Sequence, residues 1–320
     1  MIQRRALLAA TLAVPALAHA QATWPNEKPV EVIVPFPPGG GVDIMTRLVM
    51  PLVAARIPGM TAVVTNKPGA GSQLGLEAVF NAAPDGYTLG ATSTPAHSAI
   101  PIERAARYRA LDFTFLANVV EDPNCLYVRG DSPLRSVADL VKQARAKPGS
   151  LDYGTTGIGS DDHIMMLTFE ALAEIPPLTH VPFAGSAPLV PQLLGGHLAM
   201  GVGNTTELLP LAREGKTRGL AVASAQRVPD LPEVPTFREL GFDIVAAAAR
   251  GIVAPPGLPP AIAARLEEAF RAALADPGFL REAARQSMPL HPLVGAEYRQ
   301  MAAQVDAHLR ALWKLRPWKG

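Results

Sequence analysis

Two glycine-rich turns, each entered from an apolar strand and followed by a helix, are where this sequence could bind a ligand. The first turn covers residues 35–41, after the apolar run 30–34, and the second covers 154–160, after the run 151–153. Glycine lets backbone N–H groups converge, and a helix N-terminus carries roughly half a positive charge. Each turn is therefore predicted to hold an anion, and the pair suggests two lobes that grip one acidic ligand.

Turns after other predicted strands carry small or hydroxylated residues, which suit hydrogen bonds to a small polar ligand, although ordinary turns use the same residues. Few lysines or arginines occur in these turns, so a ligand carboxylate would be held by N–H groups, hydroxyls and water. The predicted ligand contacts are Phe36, Pro38, Gly39, Gly40, Asp43, Ser93, Thr94, Thr155, Thr156, Gly157, Ser160, His163, Phe183, Ala184, Gly185 and Asn204.

The acidic residues beside the two turns have more than one interpretation. Asp43 stands in the first helical turn, where it could contact the ligand, fix the loop or a bridging water, or simply cap the helix end. Asp161, Asp162 and His163 suggest a metal site, but adjacent residues at a helix start point in different directions. Helix capping by Ser160 or Asp161 is the favoured interpretation, and no metal is expected.

The sequence lacks the common motifs of nucleotide binding and catalysis. Residues 39–43 do not have the Gly-x-Gly-x-x-Gly spacing, and no Walker sequence occurs. Gly-x-Ser-x-Gly, His-x-x-x-His and Cys-x-x-Cys are also absent from the sequence. These absences argue against a cofactor and against an enzyme. A hydrolase that assembles Ser160 or Ser72 with His163 through the fold stays open as an alternative.

Strands and helices alternate along the chain, which favours parallel sheets with helices on both faces. Three amphipathic helices are predicted at the C-terminal end, over 259–274, 277–286 and 296–313. The predicted strands cover 30–34, 62–65, 87–92, 126–128, 151–154, 178–181, 198–202, 218–223 and 244–254.

This order of elements predicts an α/β fold of two doubly wound lobes, with a hinge and a ligand cleft between them. The chain would cross between the lobes near residue 124 and again near residue 245. The predicted divisions are a cleaved signal peptide at 1–20, the first part of lobe 1 at 21–123, lobe 2 at 124–245, and the second part of lobe 1, with the C-terminal helices, at 246–320.

The composition is typical of a globular exported protein. The chain has 320 residues, of which 48% are apolar and 18% charged, and its formal net charge is +1 without a basic stripe, so nucleic acid is not an expected partner. Arg4, Arg5, the apolar run 6–18 and the small-x-small site at 18–20 predict a signal peptide, for the general or the twin-arginine export route. Cys125 is the only cysteine, and its apolar neighbours favour a buried strand position over a catalytic thiol.

Short motifs spread over nearly the whole mature chain match a family pattern. They include Pro-Phe-Pro-Pro-Gly-Gly with Asp43, Asn-Lys-Pro-Gly-Ala-Gly at 66–71, Pro-Asp-Gly-Tyr-Thr-Leu at 84–89, Gly-Ile-Gly-Ser with His163, and His-Val-Pro-Phe at 180–183. In these motifs the chain resembles the tripartite tricarboxylate transporter substrate-binding proteins, also called Bug proteins.

That resemblance implies a type II periplasmic-binding-protein fold, without catalysis, that closes on a small carboxylate solute. It implies a periplasmic protein that passes the solute to the membrane permease of such a transporter, and we expect a monomer. It supports Gly39, Gly40, Thr156 and Ser160 as contacts. A sensing module that reports ligand occupancy to a signalling partner is the alternative that the sequence leaves open.

The chain departs from the family pattern at four positions. Ala184 stands where lysine is usual, Gly203 where aspartate is common, Ala249 where tryptophan is usual, and Thr65 where glutamate is usual. The first three fall near the expected cleft or hinge. A larger or more apolar acid as the ligand is the hypothesis that follows from them.

Overall fold

The computed structural model describes residues 24–315 together with 317 and 318, so the predicted signal peptide lies outside the described residues. The strands are β1 (Val30–Val34), β2 (Ala62–Asn66), β3 (Thr88–Thr94), β4 (Thr114–Arg129), β5 (Asp152–Thr155), β6 (Thr179–Pro182), β7 (Met200–Asn204), β8 (Thr217–Val222), β9 (Ala247–Ala254) and β10 (Leu290–Val294). The helices are α1 (Gly41–Ala54), α2 (Gln73–Phe80), α3 (Ala96–Glu103), α4 (Val137–Ala146), α5 (Asp161–Leu172), α6 (Ser186–Leu194), α7 (Thr205–Arg213), α8 (Pro260–Leu274), α9 (Pro277–Arg285) and α10 (Ala296–Leu315). Within the described residues, no helix combines the length and the apolar character needed to cross a bilayer.

The first lobe is built on the strand order β2-β1-β3-β9-β4, with β10 added beside β4. β1 pairs in parallel with β2 and β3, whereas β9 lies antiparallel between β3 and β4. β1 is an almost continuous apolar run because helices cover the sheet, and Val32 packs in one core with Met45 of α1 and Phe270 of α8. This core fixes β1 and α1, and therefore the glycine-rich turn between them.

The second lobe is built on β5, which pairs in parallel with β6 and β7, while β7 and β8 run antiparallel to the end of β4. Its core packs Leu126 of β4 against Tyr153 of β5 and Phe169 of α5. β4 passes through both sheets: residues 114–123 pair with β9, and residues 124–129 pair with β7 and β8. One long strand therefore connects the two lobes.

The prediction of parallel sheets is right for β1–β3 and β5–β7 and wrong for β4, β8, β9 and β10. β4 and β9 pair antiparallel along the junction of the lobes, so the strands on either side of them cannot all run in one direction. The buried strand position predicted for Cys125 is confirmed, since this residue of β4 is 1% exposed.

Several elements differ from the predicted pattern. The prediction missed α3, which contains Pro101, and β10, which contains Pro292 at an edge where proline is tolerated. Ser93 and Thr94 end β3 instead of lying in a turn after it. Asn204 ends β7, and α7 begins at once with Thr205, so the turn predicted there does not exist.

The two lobes touch through an apolar interlobe cluster, formed by Ala99, Ile164, Leu309 and Trp318. Ala99 and Leu309 lie on α3 and α10 of the first lobe, and Ile164 lies on α5 of the second. Gly159 lies against the same cluster, since a Cβ atom on it would be 3.0 Å from the Ala99 Cβ and 3.3 Å from Trp318 Nε1. The lobes are therefore closed against each other on this side.

Candidate ligand-binding cleft

A small cavity of about 40 Å³ lies between the lobes, where the first glycine-rich turn faces α6 and α7. Each lobe supplies part of its wall. The lining residues of the first lobe are Phe36, Pro37, Gly40, Gly41, Val42, Ser93 and Arg250, and those of the second are Thr156, Asp161, Gly185, Ser186, Ala187, Asn204 and Glu207.

The cavity brings together part of the predicted contact set. The predicted residues in its wall are Phe36, Gly40, Ser93, Thr156, Gly185 and Asn204. Gly39 and Thr94 line two neighbouring hollows instead. The other predicted residues, none of which lines this cavity, are Pro38, Asp43, Thr155, Gly157, Ser160, His163, Phe183 and Ala184.

Asp43 holds the first turn in shape. Its carboxylate accepts hydrogen bonds from the Gly39 N–H at 3.0 Å, from Arg47 Nε at 3.0 Å and from Asn66 Nδ2 at 2.9 Å. Burial opposes ionisation, but the hydrogen bonds from Arg47, Gly39 and Asn66 keep the pKa of Asp43 below its ordinary value. Asp43 thus has the loop-fixing role that was one of its predicted interpretations.

The second turn is held in a similar way by Asp162. Its Oδ2 accepts from both the N–H and the hydroxyl of Thr156, at 3.0 and 2.6 Å, and its Oδ1 accepts from Asn124 Nδ2 at 2.7 Å. Burial, followed by the charge of Asp161, raises the pKa of Asp162 well above its ordinary value. Ser160 caps α5 by accepting the His163 N–H, which is the interpretation that the sequence favoured over a metal site. The described residues contain no group of three or more His, Cys, Asp or Glu side chains placed to hold a metal ion.

Arg250, on β9, is a buried cation that lines the cavity, and its side chain is 4% exposed. Nη1 donates to Asp122 Oδ2 at 2.9 Å, and Nη2 donates to Asn204 Oδ1 at 2.6 Å and to Glu207 Oε1 at 3.3 Å. The Thr205 hydroxyl also donates to Asp122, at 2.8 Å. Arg250 therefore connects a strand of the first lobe to α7 of the second.

Glu207 places its carboxylate at the N-terminus of α1, across the cleft. The Gly41 N–H donates to Glu207 Oε1 at 3.1 Å, which is the position where the sequence predicts an anion. A Cβ atom on Gly41 would lie 2.2 Å from Arg250 Nη1, so only glycine lets the guanidinium pack here. Burial raises the pKa of Glu207, and the charge of Arg250 opposes that shift.

Glu207 and Arg250 are not among the residues predicted from the sequence, although the sequence contains a pattern that could have pointed to each. Glu207 stands in the first turn of a helix, where an acid is usually explained as a capping residue. Arg250 follows an apolar run, and an arginine that enters a core must find charged partners there. The carboxylates that pair with Arg250 are distant from it in the sequence, so the apolar run around Arg250 could not identify them.

His163 and His180 stack at the second turn, with ring centroids 4.0 Å apart. The Nδ1 atom of His163 accepts the Gly159 N–H at 3.1 Å, and His180 Nε2 lies 2.6 Å from the Thr155 hydroxyl. Burial, helped by the charge of His180, lowers the pKa of His163 to about 3, and burial lowers the pKa of His180 to about 4. Both rings are therefore neutral near pH 7, and His163 is a weak base for the hydrolase alternative.

This pair is expected to make the protein less stable in mild acid. Below about pH 6.5 both histidines take up a proton in the unfolded chain, whereas their lowered pKa values keep them neutral in the folded chain. The free energy of unfolding therefore falls as the pH drops from about 6.5 to 4. In a His180→Phe variant the fall between pH 7 and pH 4.5 should be smaller by roughly 2 kcal/mol. Urea unfolding at the two pH values measures it, and an equal fall in both proteins would contradict the prediction.

The comparisons with known proteins agree with this geometry. The family model described as "Tripartite tricarboxylate transporter family receptor" matches residues 47–314. Protein BugT of Bordetella pertussis is 33% identical over 256 residues, which cover 79% of this chain and 78% of BugT.

Two ligand-bound structures from Rhodopseudomonas palustris have the same fold. MatC with bound malate is 28% identical, with a TM-score of 0.80, over 88% of this chain and 98% of MatC. An adipate-bound protein is 30% identical, also with a TM-score of 0.80, over 91% of this chain and 96% of its own. The two-lobed α/β fold and the family resemblance predicted from the sequence are thereby confirmed, and the chain belongs to the tripartite tricarboxylate transporter receptors, a family of solute-binding proteins that includes the Bug proteins.

Proposed function

We propose that this protein captures a small carboxylate solute in the periplasm and passes it unchanged to the permease of a tripartite tricarboxylate transporter. The observation that carries this proposal is the cavity between the lobes, whose wall both lobes build. The malate and adipate held by two relatives of the same fold support a carboxylate as the solute. His163 is neutral near pH 7, and its Nδ1 already accepts the Gly159 N–H, which supports binding without catalysis.

The donors that would hold the carboxylate are those that the protein does not already use. The N–H groups of Gly39, Gly41 and Thr156 already donate to Asp43, Glu207 and Asp162. By contrast, no side chain caps the N-terminus of α6, whose first residues line the cavity. We place the solute carboxylate between this helix end and the hydroxyls of Ser93 and Ser186, which line the same cavity.

A thermal-shift screen of the mature protein tests the proposal, with each carboxylic acid paired with its carboxamide. A solute at 100 times its dissociation constant adds about 2.7 kcal/mol to the free energy of unfolding, which raises the melting temperature by several degrees. Acids should raise it and the matched amides should not. Ser186→Leu, which fills the cavity, should abolish the shift, whereas Gln192→Leu on the exposed side of α6 should retain it. If no acid raises the melting temperature, or if the Ser186→Leu variant keeps the shift, the proposal is overturned.

A further inference from the structure

The cavity between the lobes is smaller than the solutes that two relatives of the same fold hold. Its volume is about 40 Å³, whereas an engineered cavity that binds one benzene molecule measures roughly 150 Å³. Malate and adipate, which those relatives bind, are both larger than benzene. A solute of this size can therefore enter only if the cleft widens, and the contacts that hold the cleft in its present shape must give way.

Glu207 and Arg250 lie where the cavity meets a second, larger space. Both side chains line the cavity, and both also line a neighbouring hollow of about 370 Å³ that lies against α1, α6 and α7. A movement of Glu207 away from the first lobe would join the two spaces. The joined space would be large enough for a small dicarboxylate, so the position of Glu207 decides whether the cleft can accept a solute.

The Glu207 carboxylate holds α7 of the second lobe against the start of α1 in the first. Its Oε1 accepts the Gly41 N–H at 3.1 Å and lies 3.3 Å from Arg250 Nη2, and both of these donors belong to the first lobe. The partial positive charge at the N-terminus of α1 favours an anion at this position. The protein therefore supplies a carboxylate of its own at the place where the lobes close.

The Glu207 contact can break while the rest of the Arg250 cluster stays together. Asp122 lies on β4, which pairs with the strand of Arg250, and Asn204 ends β7, which pairs with the same β4. These partners sit on the strand that joins the lobes, so they stay near Arg250 when the lobes move. Gly41 and Glu207 begin helices of opposite lobes. Their hydrogen bond is therefore the one that must break for the cleft to widen.

We propose that Glu207 is a latch that holds the cleft shut and that a solute must displace. This inference concerns the regulation of the site in the proposed function and rests on that function. The latch lowers the fraction of the protein that can take up a solute, and the apparent affinity falls by the same factor. A hydrogen bond to a charged group changes such an equilibrium by about tenfold or more. Solute binding then begins with opening of the lobes.

Small-angle scattering of three variants tests the latch directly. Glu207→Ala removes the carboxylate, Glu207→Gln removes the charge but keeps an oxygen that can accept the Gly41 N–H, and Glu214→Ala changes an exposed glutamate just beyond the C-terminal end of α7. Without solute, Glu207→Ala should have a larger radius of gyration than the wild type, and Glu214→Ala should not. Added malate or adipate should reduce the radius of Glu207→Ala but not that of the wild type.

Isothermal titration with malate and adipate separates the latch from simple charge repulsion. Both acids should bind Glu207→Ala about tenfold more tightly than the wild type, as the freed fraction requires. Loss of a negative charge alone would also strengthen the binding of an acid, but Glu207→Gln loses the same charge. The gain should therefore be larger in Glu207→Ala than in Glu207→Gln. Equal gains would assign the effect to repulsion, and weaker binding to Glu207→Ala would show that Glu207 holds the solute; either result overturns the latch.

The outcomes distinguish this inference from the proposed function. An unchanged radius in Glu207→Ala overturns the latch whether or not an acid binds. If the radius rises in that variant but neither acid binds any of the proteins, the latch stands and the capture of a small dicarboxylate fails. The scattering of the wild type with and without solute does not depend on the folding of a variant, and a radius that falls on addition of a bound acid would also overturn the latch.

Discussion

Replacing Arg250 with alanine is expected to lower the free energy of unfolding by about 3–5 kcal/mol, which is the usual cost of removing one side of a buried ion pair. The guanidinium is buried and donates to Asp122 at 2.9 Å and to Glu207 at 3.3 Å. Its removal leaves both carboxylates buried without the cation that they share. The loss exceeds what the pair itself contributes, because the remaining charges are no longer compensated.

Urea unfolding of the wild type and the variant at pH 7 measures this loss. Arg238→Ala serves as the matched control, since Arg238 pairs with Asp243 on the exposed surface and should cost less than about 1 kcal/mol. Adding Asp122→Asn to Arg250→Ala should recover part of the loss by removing a stranded charge. A cost near that of the control, or no recovery in the double variant, would show that the cluster is not held by these charges.

The part of the site that sequence could predict is the part formed by local structure. The first turn, its hydrogen bond from Gly39 to Asp43 and the cap of Ser160 depend on neighbours within a few residues, so spacing was sufficient to predict them as possibilities. Arg250 and Glu207 depend on residues far away in the chain: Arg250 reaches Asp122, which precedes it by 128 residues. The antiparallel pairing of β4 with β9 places Arg250 beside Asp122, and the pairing of β4 with β7 brings the start of α7, with Glu207, to the same place. No local pattern encodes these pairings.

The same difference between local and long-range contacts explains which parts of the fold could be predicted from the sequence. Alternating apolar strands and helices were enough to predict two α/β lobes, because burial on both faces of a parallel sheet produces long apolar runs. The first half of β4 was missed because Asn118 and Asp122 interrupt its apolar pattern. Both side chains are fully buried and use their polar atoms in tertiary contacts, such as Asn118 Nδ2 with the His291 carbonyl at 2.8 Å. Such contacts join residues that are far apart in the sequence, so the local pattern of the strand does not predict them.

The second large effect is expected at Trp318, close to the C-terminus. Trp318 is 1% exposed and meets Trp313 edge to face, with ring centroids 4.8 Å apart. Its indole Nε1 is buried without a hydrogen-bond partner, so the contribution of this side chain is packing alone. Since the interlobe cluster joins α3 and α10 to α5, Trp318 stabilises both the fold and the contact between the lobes.

Trp318→Ala should therefore lower the free energy of unfolding by about 3 kcal/mol or more, as large-to-small changes of a buried aromatic do. Without solute it should also shift the lobes toward open arrangements, which small-angle scattering would detect as a larger radius of gyration. Leu315→Ala is the matched control, because Leu315 is 85% exposed and should change neither quantity. A loss under about 1 kcal/mol would show that the cluster holds without Trp318. A stability loss with an unchanged radius would instead assign Trp318 to the first lobe alone and leave closure to Arg250 and Glu207, whose contacts cross the cleft independently.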